Sequence, residues 1–290
     1  MKILFVINPI SGATSNNEAI LSIHKAAAEK GFDFKFLYTT GEKDDEALVA
    51  QIEEYKPERV IAGGGDGTIQ LVVRNLLNTD IILGILPLGS ANGLATALNV
   101  SQNTIEIVKH LTTNYKTIPL DVLKVNGKYI CAHLGDLGIN ALIVKKFAEQ
   151  KQRGMLGYLR HLMKSIKESP ILRYTIKTPE GIYHKKGYML SFANGNKYGT
   201  GIHISAGSVS DGKFEICNVP RVTVKDFIKA YLTRFNFFTN KEMFSDVITT
   251  SKAEIHINKK IHYQIDGEYM GQTNHLKIEI MQSAIKLLVQ

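Results

Sequence analysis

A glycine-rich stretch follows an apolar run in the first third of the chain, with the sequence Ile61-Ala62-Gly63-Gly64-Gly65-Asp66-Gly67-Thr68. The residues from Arg59 to Ala62 predict the end of a buried strand, and the apolar residues after Thr68 recur with helical spacing. Glycines let backbone N–H groups approach a phosphate closely, and the N-terminus of the following helix adds partial positive charge. The stretch therefore predicts a strand, a phosphate-binding turn and a helix, as in a nucleotide-using enzyme.

The carboxylate of Asp66 constrains the chemistry of this turn. It would repel a phosphate unless it holds a divalent cation or takes a proton from an attacking group. A P-loop is excluded because neither Gly127-Lys128 nor Gly212-Lys213 is followed by serine or threonine. A dinucleotide fingerprint is excluded because Thr68 stands where its third glycine belongs. A tight turn without a ligand is the simpler alternative, but single turns rarely use so many glycines.

The first 120 residues alternate short apolar runs with helical patterns, which is typical of a parallel sheet built from βαβ units. Ligands of such sheets bind at the carboxyl ends of the strands. Four predicted loops converge there. The predicted strands span 2–7, 32–38, 59–62 and 81–86, the helices span 17–30 and 44–55 and follow Thr68, and the loops contain Asn8-Pro9, Thr39-Thr40, 63–68 and 87–92.

From about Asp121 the pattern changes to period-two segments separated by turns such as Asn126-Gly127 and Glu180-Gly181. This change predicts an antiparallel β-sandwich over 121–281 after an α/β domain over 1–120, with 282–290 as a candidate return to the first domain. The predicted strands span 122–125, 129–132, 173–177, 187–192, 212–219, 254–257 and 262–265, with helices at 154–168 and 223–233 and final apolar runs at 276–281 and 284–289.

Composition narrows the class of protein further. No apolar run approaches the roughly twenty residues of a membrane span, and the run from Met1 to Ile7 is too short for a signal peptide, so we expect a cytoplasmic protein. Cys131 and Cys217 form neither a disulfide framework nor a metal cluster. The net charge of +8 favours polyanionic partners such as nucleotides or anionic lipid headgroups.

Taken in order, the motifs resemble the diacylglycerol kinase catalytic-domain family, and within it the bacterial lipid kinases related to sphingosine kinase. The resemblance covers nearly the whole chain. It implies a phosphofructokinase- or NAD kinase-like nucleotide-binding domain, a β-sandwich domain, and transfer of the γ-phosphoryl group of ATP to a lipid hydroxyl with Mg²⁺. The motifs are Asn8-Pro9-Ile10-Ser11-Gly12, Thr40, 64–68, Pro87-Leu88-Gly89-Ser90-Ala91-Asn92-Gly93-Leu94-Ala95, Gly135-Asp136-Leu137-Gly138, 194–201, Asp211-Gly212-Lys213-Phe214-Glu215-Ile216 and Asp266-Gly267-Glu268.

The resemblance also implies roles for individual residues. The nucleotide would be bound by Asn8, Ser11, Gly12, Thr40, Gly64, Gly65, Asp66, Gly67, Thr68, Ser90 and Asn92. Asp211 matches the acid that organises magnesium, with the main-chain carbonyls of Ser208 and Lys213 as companions. Glu268 matches the proposed proton acceptor, and Asp266 is its rival. Asp66, in the glycine-rich turn, is also expected to be catalytic. Phosphoryl transfer needs positioned phosphates, a cation that offsets charge, and a carboxylate near the attacking hydroxyl, and this set offers candidates for all three.

Two positions depart from the family pattern. Gly93 stands where members commonly carry an aspartate, and Gln70-Leu71 replaces a frequent Asn-Glu pair. Both changes remove negative charge, so two alternatives stay open beside an active lipid kinase. One is a catalytically silent nucleotide- or lipid-binding relative, and the other is a kinase of a soluble hydroxyl compound such as NAD.

Contact with a membrane is expected, because a lipid kinase collects its substrate from a bilayer. The predicted helix at 154–168 has an apolar stripe beside basic residues, and Arg234-Phe235-Asn236-Phe237-Phe238 is similar in character, although packing into a core would explain either segment. No stacking platform in a basic groove supports nucleic-acid binding. We expect a cytoplasmic enzyme that associates transiently with membranes, and a dimer is compatible with the sequence.

Overall fold

The structure is a computed structural model that describes residues 1–11, 13–89, 92–101, 103–113, 115–149, 171–195, 197–198, 202–203, 207–220 and 245–289. The chain divides into two compact units. The first comprises Met1–Asp121 and Gln282–Gln290, and the second comprises Val122–Met281. The strands β5 (Thr117–Val125) and β16 (Glu268–Leu288) contribute residues to both units.

The first unit contains a parallel sheet, as the alternation of strands and helices predicts. Its strands pair in the order β4, β3, β1, β2, and the end of β16 adds to β4 in parallel through Lys286 and Leu287. The four N-terminal strands are β1 (Lys2–Ile7), β2 (Asp33–Tyr38), β3 (Arg59–Gly64) and β4 (Ile82–Pro87). The helices are α1 (Ala13–Lys30), α2 (Asp44–Tyr55), α3 (Asp66–Leu76), α4 (Gly93–Ala97) and α5 (Thr104–Thr113).

The order of these strands locates a binding edge within the unit. From β1 the chain passes through α1 to β2 on one side, and later through β3 and α3 to β4 on the other. The direction of winding therefore reverses between β1 and β3, and open parallel sheets bind ligands outside the carboxyl ends of the strands at such a reversal. The sheet is stable because β1 is buried from Ile3 to Ile7 and packs with apolar residues of α1, β3 and α5.

The second unit is mostly antiparallel, which confirms the predicted fold class. One run of pairing joins β14, β13, β10, β7 and β15, and β15 also pairs with β8 and β16. The remaining elements are β6 (Tyr129–Cys131), β7 (Leu134–Gly138), α6 (Ile139–Glu149), β8 (Leu172–Thr178), β9 (Gly181–Gly187), β10 (Met189–Ala193), β11 (Lys197–Tyr198), β12 (Ile202–His203), β13 (Phe214–Val219), β14 (Ser245–Thr250) and β15 (Lys252–Ile265).

The hairpin of β15 and β16 is longer than the sequence predicts. The predicted strands at 254–257 and 262–265 are parts of β15, and the apolar runs at 276–281 and 284–289 both lie in β16 or at its end. The pairing is irregular between His256 and Ile261, where Asn258, Lys259 and Lys260 are all exposed. This break in alternation explains why the periodicity suggested two strands.

Some predictions fall outside the described residues, including the helices at 154–168 and 223–233 and the Arg234–Phe238 segment. Among the residues that the structure does describe, no helix is long and apolar enough to cross a membrane.

Candidate functional site

The loop after β1 is the first of the predicted phosphate-binding segments. The amide of Asn8 donates to the carbonyl of Gly63, 2.9 Å away, which holds the start of this loop beside the end of β3. The Asn8 side chain accepts a hydrogen bond from the Ile10 amide, and the Ser11 amide donates to the Asn8 carbonyl. The structure thus places Asn8 and Ser11 at the reversal between β1 and β3, while Gly12 lies outside the described residues.

The turn between β3 and α3 is closed by contacts that only glycine permits. A Cβ at Gly64 would collide with the Thr68 side chain, and a Cβ at Gly89 would collide with the Cα of Gly65. The Leu88 amide donates to the Gly64 carbonyl over 3.0 Å, so the loops after β3 and β4 lie backbone to backbone. The sequence alone does not predict that Gly89 must be glycine, because the requirement comes from the neighbouring loop after β3.

The carboxylate of Asp66 joins the same two loops. Its Oδ2 accepts the amide of Gly93 over 3.0 Å, and its Oδ1 accepts the amide of Leu94 over 3.2 Å. Two backbone N–H dipoles at the start of α4 thus stabilise the negative charge of Asp66. These bonds explain how an acid is tolerated in a glycine-rich turn, and they leave its predicted part in catalysis a prediction.

Asn92 and Thr40 also organise their loops. Asn92 is buried in the left-handed region with φ of 50°, and its Nδ2 donates to the Gly89 carbonyl over 2.8 Å. Its Oδ1 has no hydrogen-bond partner among the described residues. The exposed Thr40 donates its amide to Asp44 at the start of α2 over 2.8 Å, and its hydroxyl lies within hydrogen-bonding distance of the Glu42 carbonyl and the Asp44 carboxylate. Ser90, which was predicted to bind the nucleotide together with Asn92, lies outside the described residues.

In the second unit, Asp266 and Gly267 form the turn of the long hairpin. Both have positive φ, 48° and 85°, as in the two-residue turns that favour Asp-Gly. The Asp266 carboxylate accepts the amides of Ala132, His133 and Leu134 at 2.7, 3.0 and 3.0 Å. Burial raises the pKa of Asp266 to about 6, and the three amide donors oppose that rise. Asp266 therefore anchors the turn to the segment that enters β7.

Asp136 is a buried carboxylate that sequence reasoning did not select as a site residue. It lies in the middle of β7, and its Oδ2 accepts the side-chain amides of Asn140 and Gln264, each over 2.6 Å. Gln264 in turn accepts the amide of Gly267 over 2.7 Å. Burial raises the pKa of Asp136 to about 6. The available signal was the Gly135-Asp136-Leu137-Gly138 motif, but only the pairing of β7 with β15 connects Asp136 to the turn.

Glu268 contrasts with both of these acids. It is the first residue of β16, its side chain is exposed, and it makes no hydrogen bond or ion pair with the residues that the structure describes. Its carboxylate is two residues from Asp266 along the chain and lies on the solvent side of the same turn. Of the two predicted candidates for a proton acceptor, Glu268 is the one whose oxygens are uncommitted.

The loop before β13 brings Ser208, Asp211 and Lys213 together. The carboxylate of Asp211 accepts the amide of Ser208 over 2.8 Å and the amide of Lys213 over 3.0 Å. Asp211 is exposed, and each of its oxygens keeps a free lone pair after accepting one amide. Carboxylate and main-chain carbonyl oxygens are hard ligands of the kind that Mg²⁺ prefers. The chemistry of this loop therefore fits the predicted metal.

Comparison with known proteins places these elements in a family. Residues 2–125 match the diacylglycerol kinase catalytic domain, and residues 136–289 match the YegS C-terminal NAD kinase beta sandwich-like domain. The diacylglycerol kinase of Bacillus subtilis is 24% identical over 274 residues, which cover 92% of this chain and 89% of that protein. A candidate lipid kinase of Staphylococcus carnosus is 31% identical over 234 residues, which cover 78% of this chain and 74% of that one.

Solved structures show the same fold. The crystal structure of a diacylglycerol kinase from Bacillus anthracis superposes with a TM-score of 0.72 at 20% identity, covering 100% of this chain and 97% of the other. The two halves of the sequence thus match the catalytic domain and the C-terminal domain of one kind of protein. The chain belongs to the bacterial lipid kinase family that combines a diacylglycerol kinase catalytic domain with a YegS-type C-terminal domain.

Proposed function

We propose that this protein is an ATP-dependent lipid kinase that transfers the γ-phosphoryl group of ATP to a lipid hydroxyl, such as that of diacylglycerol. The observation that carries the proposal is the closed glycine turn at the reversal of the parallel sheet, where Asp66 is directed to the amides of Gly93 and Leu94. Names of relatives such as the diacylglycerol kinase of Bacillus subtilis support the choice of acceptor.

The nucleotide phosphates would bind to the backbone of the turn from Gly64 to Thr68. At the start of α3 the amides of Thr68 and Ile69 bond the Gly65 carbonyl, so the amides of Asp66 and Gly67 and the partial positive charge of the helix would face a phosphate. A Cβ at Gly67 would meet nothing within 4 Å, so the approach there is open. The Asn92 side chain has a buried oxygen that lacks a partner among the described residues, so it is available to a ribose hydroxyl or a bound water. Asn8 and Ser11 would close the other side of this edge.

The oxygens of Asp211 and the carbonyls of Ser208 and Lys213 would hold Mg²⁺. When bound, the cation offsets the charge that develops on the phosphoryl oxygens during transfer. The protein's contribution is the compact loop, since two amides fix the Asp211 carboxylate before any ligand arrives. A ligand that is already positioned avoids the entropic cost of ordering it at the moment of binding.

Glu268 would accept the proton of the attacking hydroxyl. Its exposed and uncommitted carboxylate supports this role, whereas the Asp266 carboxylate accepts three backbone amides. The chain of hydrogen bonds from Asp136 through Gln264 to Gly267 would hold the turn that presents Glu268. In this assignment Asp266 and Asp136 are positioning residues, and of these three acids only Glu268 contacts the lipid hydroxyl.

The lipid would be collected at an anionic membrane surface. The strands β8 and β9 carry an open depression lined by Arg173, His184, Lys185 and Lys186 among others, without an acidic residue among the described ones. Arg173 and Lys186 are exposed and lie directly opposite each other across the two strands. Like charges in that position destabilise a sheet unless a counter-charge is bound, which favours an anionic partner for this face.

The decisive experiment is magnesium-dependent transfer of labelled γ-phosphate from ATP to a panel of extracted and synthetic lipids, beside NAD and water. We expect a labelled lipid product that disappears with EDTA. Labelled NADP without labelled lipid would replace the proposal with a soluble-acceptor kinase. Binding of ATP without any transfer would replace it with a silent nucleotide-binding relative, an outcome to which the missing acids at Gly93 and Leu71 would then point.

A further inference from the structure

Two histidines face each other across the middle of the long hairpin. His256 on β15 is directly opposite His275 on β16, and their rings are 4.5 Å apart with an interplanar angle of 32°. Glu254 precedes His256 by two residues, so its side chain lies on the same face of the sheet. Three side chains with metal-binding atoms are thus brought to one place by strand pairing, although 18 residues lie between the two histidines along the chain.

The donor atoms of these side chains converge on a small volume. Nε2 of His275 lies 2.8 Å from Oε1 of Glu254, and Nε2 of His256 lies 3.3 Å from the same oxygen. One donor atom from each of the three residues lies within 4.8 Å of the other two. We propose that Glu254, His256 and His275 form a binding site for a divalent transition metal, zinc in the first place.

The chemistry of the donors selects the class of metal. Imidazole nitrogen suits zinc, copper, nickel and iron, whereas magnesium and calcium prefer oxygen alone. Ligand atoms at the usual distance from a tetrahedral zinc ion are about 3.3 Å apart, close to the separations of the Glu254 oxygen from the two nitrogens. The donor nitrogens of the two histidines lie within 4.8 Å of each other, and binding would require these partly or fully exposed side chains to rotate closer together. Two histidines and one carboxylate complete three positions and leave the remainder to water.

The charge around the cluster limits the affinity without opposing the site. Lys277 on β16 and Lys177 on β8 lie directly opposite Glu254 in the sheet. Their positive charges lower the affinity of the site for a cation. His275 Nε2 and Glu254 Oε1 lie 2.8 Å apart, and a metal ion would replace the proton they share, so that both atoms face the cation. We therefore expect binding at micromolar metal concentrations, tighter for zinc and copper than for cobalt or manganese.

A metal at this position would join β15 to β16. The same two strands end at the Asp266–Gly267 turn, so the ion would hold together the hairpin that carries the Asp-Gly-Glu motif. Because the folded hairpin brings the ligands together and the unfolded chain does not, bound metal adds to the stability of the folded state. The site is separate from the oxygen ligands at Asp211, and it requires no kinase activity.

The test uses full-length protein without a histidine tag, freed of metal by chelator. Zinc binding is measured by calorimetry, and Co²⁺ is used as a spectroscopic probe, because tetrahedral coordination gives intense visible absorption. Replacing either histidine, as His256→Gln or His275→Gln, should weaken zinc binding by at least about tenfold. Glu254→Gln should weaken it in the same direction. The thermal midpoint of the wild type should rise with zinc, and that of the variants should not.

His24→Gln provides the matched control, since His24 is an exposed histidine on α1 and contacts the rings of Phe34 and Phe36 rather than the cluster. It should bind zinc like the wild type. All four substitutions are at partly or fully exposed positions, and circular dichroism confirms that each variant folds. A wild type that binds no zinc at micromolar concentrations overturns the proposal. So does equal affinity in the wild type and in both cluster histidine variants.

Discussion

Asp266 and Glu268 lie two residues apart at the β15–β16 turn, yet their carboxylates meet opposite surroundings. Three amides and burial surround the first, and solvent surrounds the second. Glu268→Gln keeps the shape of the side chain and removes its ability to take a proton. We expect turnover to fall by about 100-fold or more, the usual contribution of a general base. Nucleotide affinity, measured by calorimetry, should stay within experimental error of the wild type.

A second glutamate on the same strand controls for a general loss of charge. Glu279 is exposed on β16 and pairs with Lys252, so Glu279→Gln should leave turnover unchanged. Wild-type turnover in Glu268→Gln would reject Glu268 as the proton acceptor. Asp266 would then be the remaining candidate for the proton acceptor, despite its three amide donors.

The raised pKa of Asp136 predicts how the stability of the fold depends on pH. Its pKa rises from an ordinary 3.8 to about 6 on folding, because burial disfavours the charged form. The native carboxyl therefore binds its proton at a higher pH than the unfolded one, and this group destabilises the fold as pH rises from about 4 to 6. The shift corresponds to about 3 kcal/mol at most. Asp136→Asn, which still accepts hydrogen bonds from Asn140 and Gln264, removes this cost.

The measurement is the free energy of unfolding in urea at pH 4.5 and at pH 8. The difference in stability between Asp136→Asn and the wild type should favour the variant more strongly at pH 8. Comparing the two proteins at each pH cancels the contributions of other carboxylates. An equal difference at both pH values would show that Asp136 is charged throughout, held by its amide partners.

The sequence alone predicts only part of what these residues do. Asp66, Asp211 and Glu268 are predictable from the sequence alone, because each lies in a short motif. The partners that decide what the first two do, such as the amides of Gly93 and Ser208, are set by folding of the loops. The role of Asp136 is not predictable in this way, because nothing in its immediate sequence reveals that Gln264, 128 residues away, donates a hydrogen bond to its carboxylate.

At the scale of elements, the contact of the loops after β3 and β4 is the feature most sensitive to substitution. A methyl group at Gly89 would overlap the Cα of Gly65 and lie 2.8 Å from Oδ1 of Asn92. Backbone cannot yield as a side chain does, so Gly89→Ala should separate the loops and lower stability by about 1–3 kcal/mol, as overpacking does elsewhere. Nucleotide affinity should fall together with the thermal midpoint.

Gly67→Ala is the matched comparison for stability. Gly67 lies in the first turn of α3, and a Cβ there would meet nothing within 4 Å. Alanine has the higher helix propensity, so the thermal midpoint should stay the same or rise. If Gly67→Ala and Gly89→Ala lowered the midpoint equally, the effect would come from loss of glycine in general and not from contact between the two loops.

The predicted elements succeeded where burial gives a clear period. The strands β1 and β3 and the helix α2 fall where the pattern predicts them, because each has a continuous buried core or a regular apolar face. By contrast, β9 has no fully buried residue before Gly187, so its apolar signal is weak. It is a strand because each of its residues pairs with β8. The helix α1 begins at Ala13, earlier than predicted, in a polar segment where periodicity carries no signal.

At the scale of the whole molecule, the α/β half followed by an antiparallel β half was predicted from the change of period near Asp121, and the structure confirms that fold class. The pairings of the second half could not be predicted in the same way. A single long strand, β15, pairs with β16, β8 and β7 along different parts of its length. Such pairings depend on bulges and on long-range contacts, and local patterns do not encode them.

The net charge of +8 bears on how the whole protein meets a membrane. We expect it to sediment with anionic vesicles at low salt in the presence of EDTA, which keeps bound metal from contributing. Replacing Arg173 and Lys186 together by glutamine removes two exposed charges from one face. At about 1 kcal/mol for each charge, binding should weaken about 30-fold.

Replacing Lys25 and Lys109 by glutamine is the control. These lysines are exposed on α1 and α5, so the change in net charge is the same, but vesicle binding should weaken much less. Equal weakening by both pairs of substitutions would mean that the membrane is attracted by net charge alone and not by the β8–β9 face. If the wild-type protein did not sediment with the vesicles at any salt concentration, this mode of lipid access would be excluded.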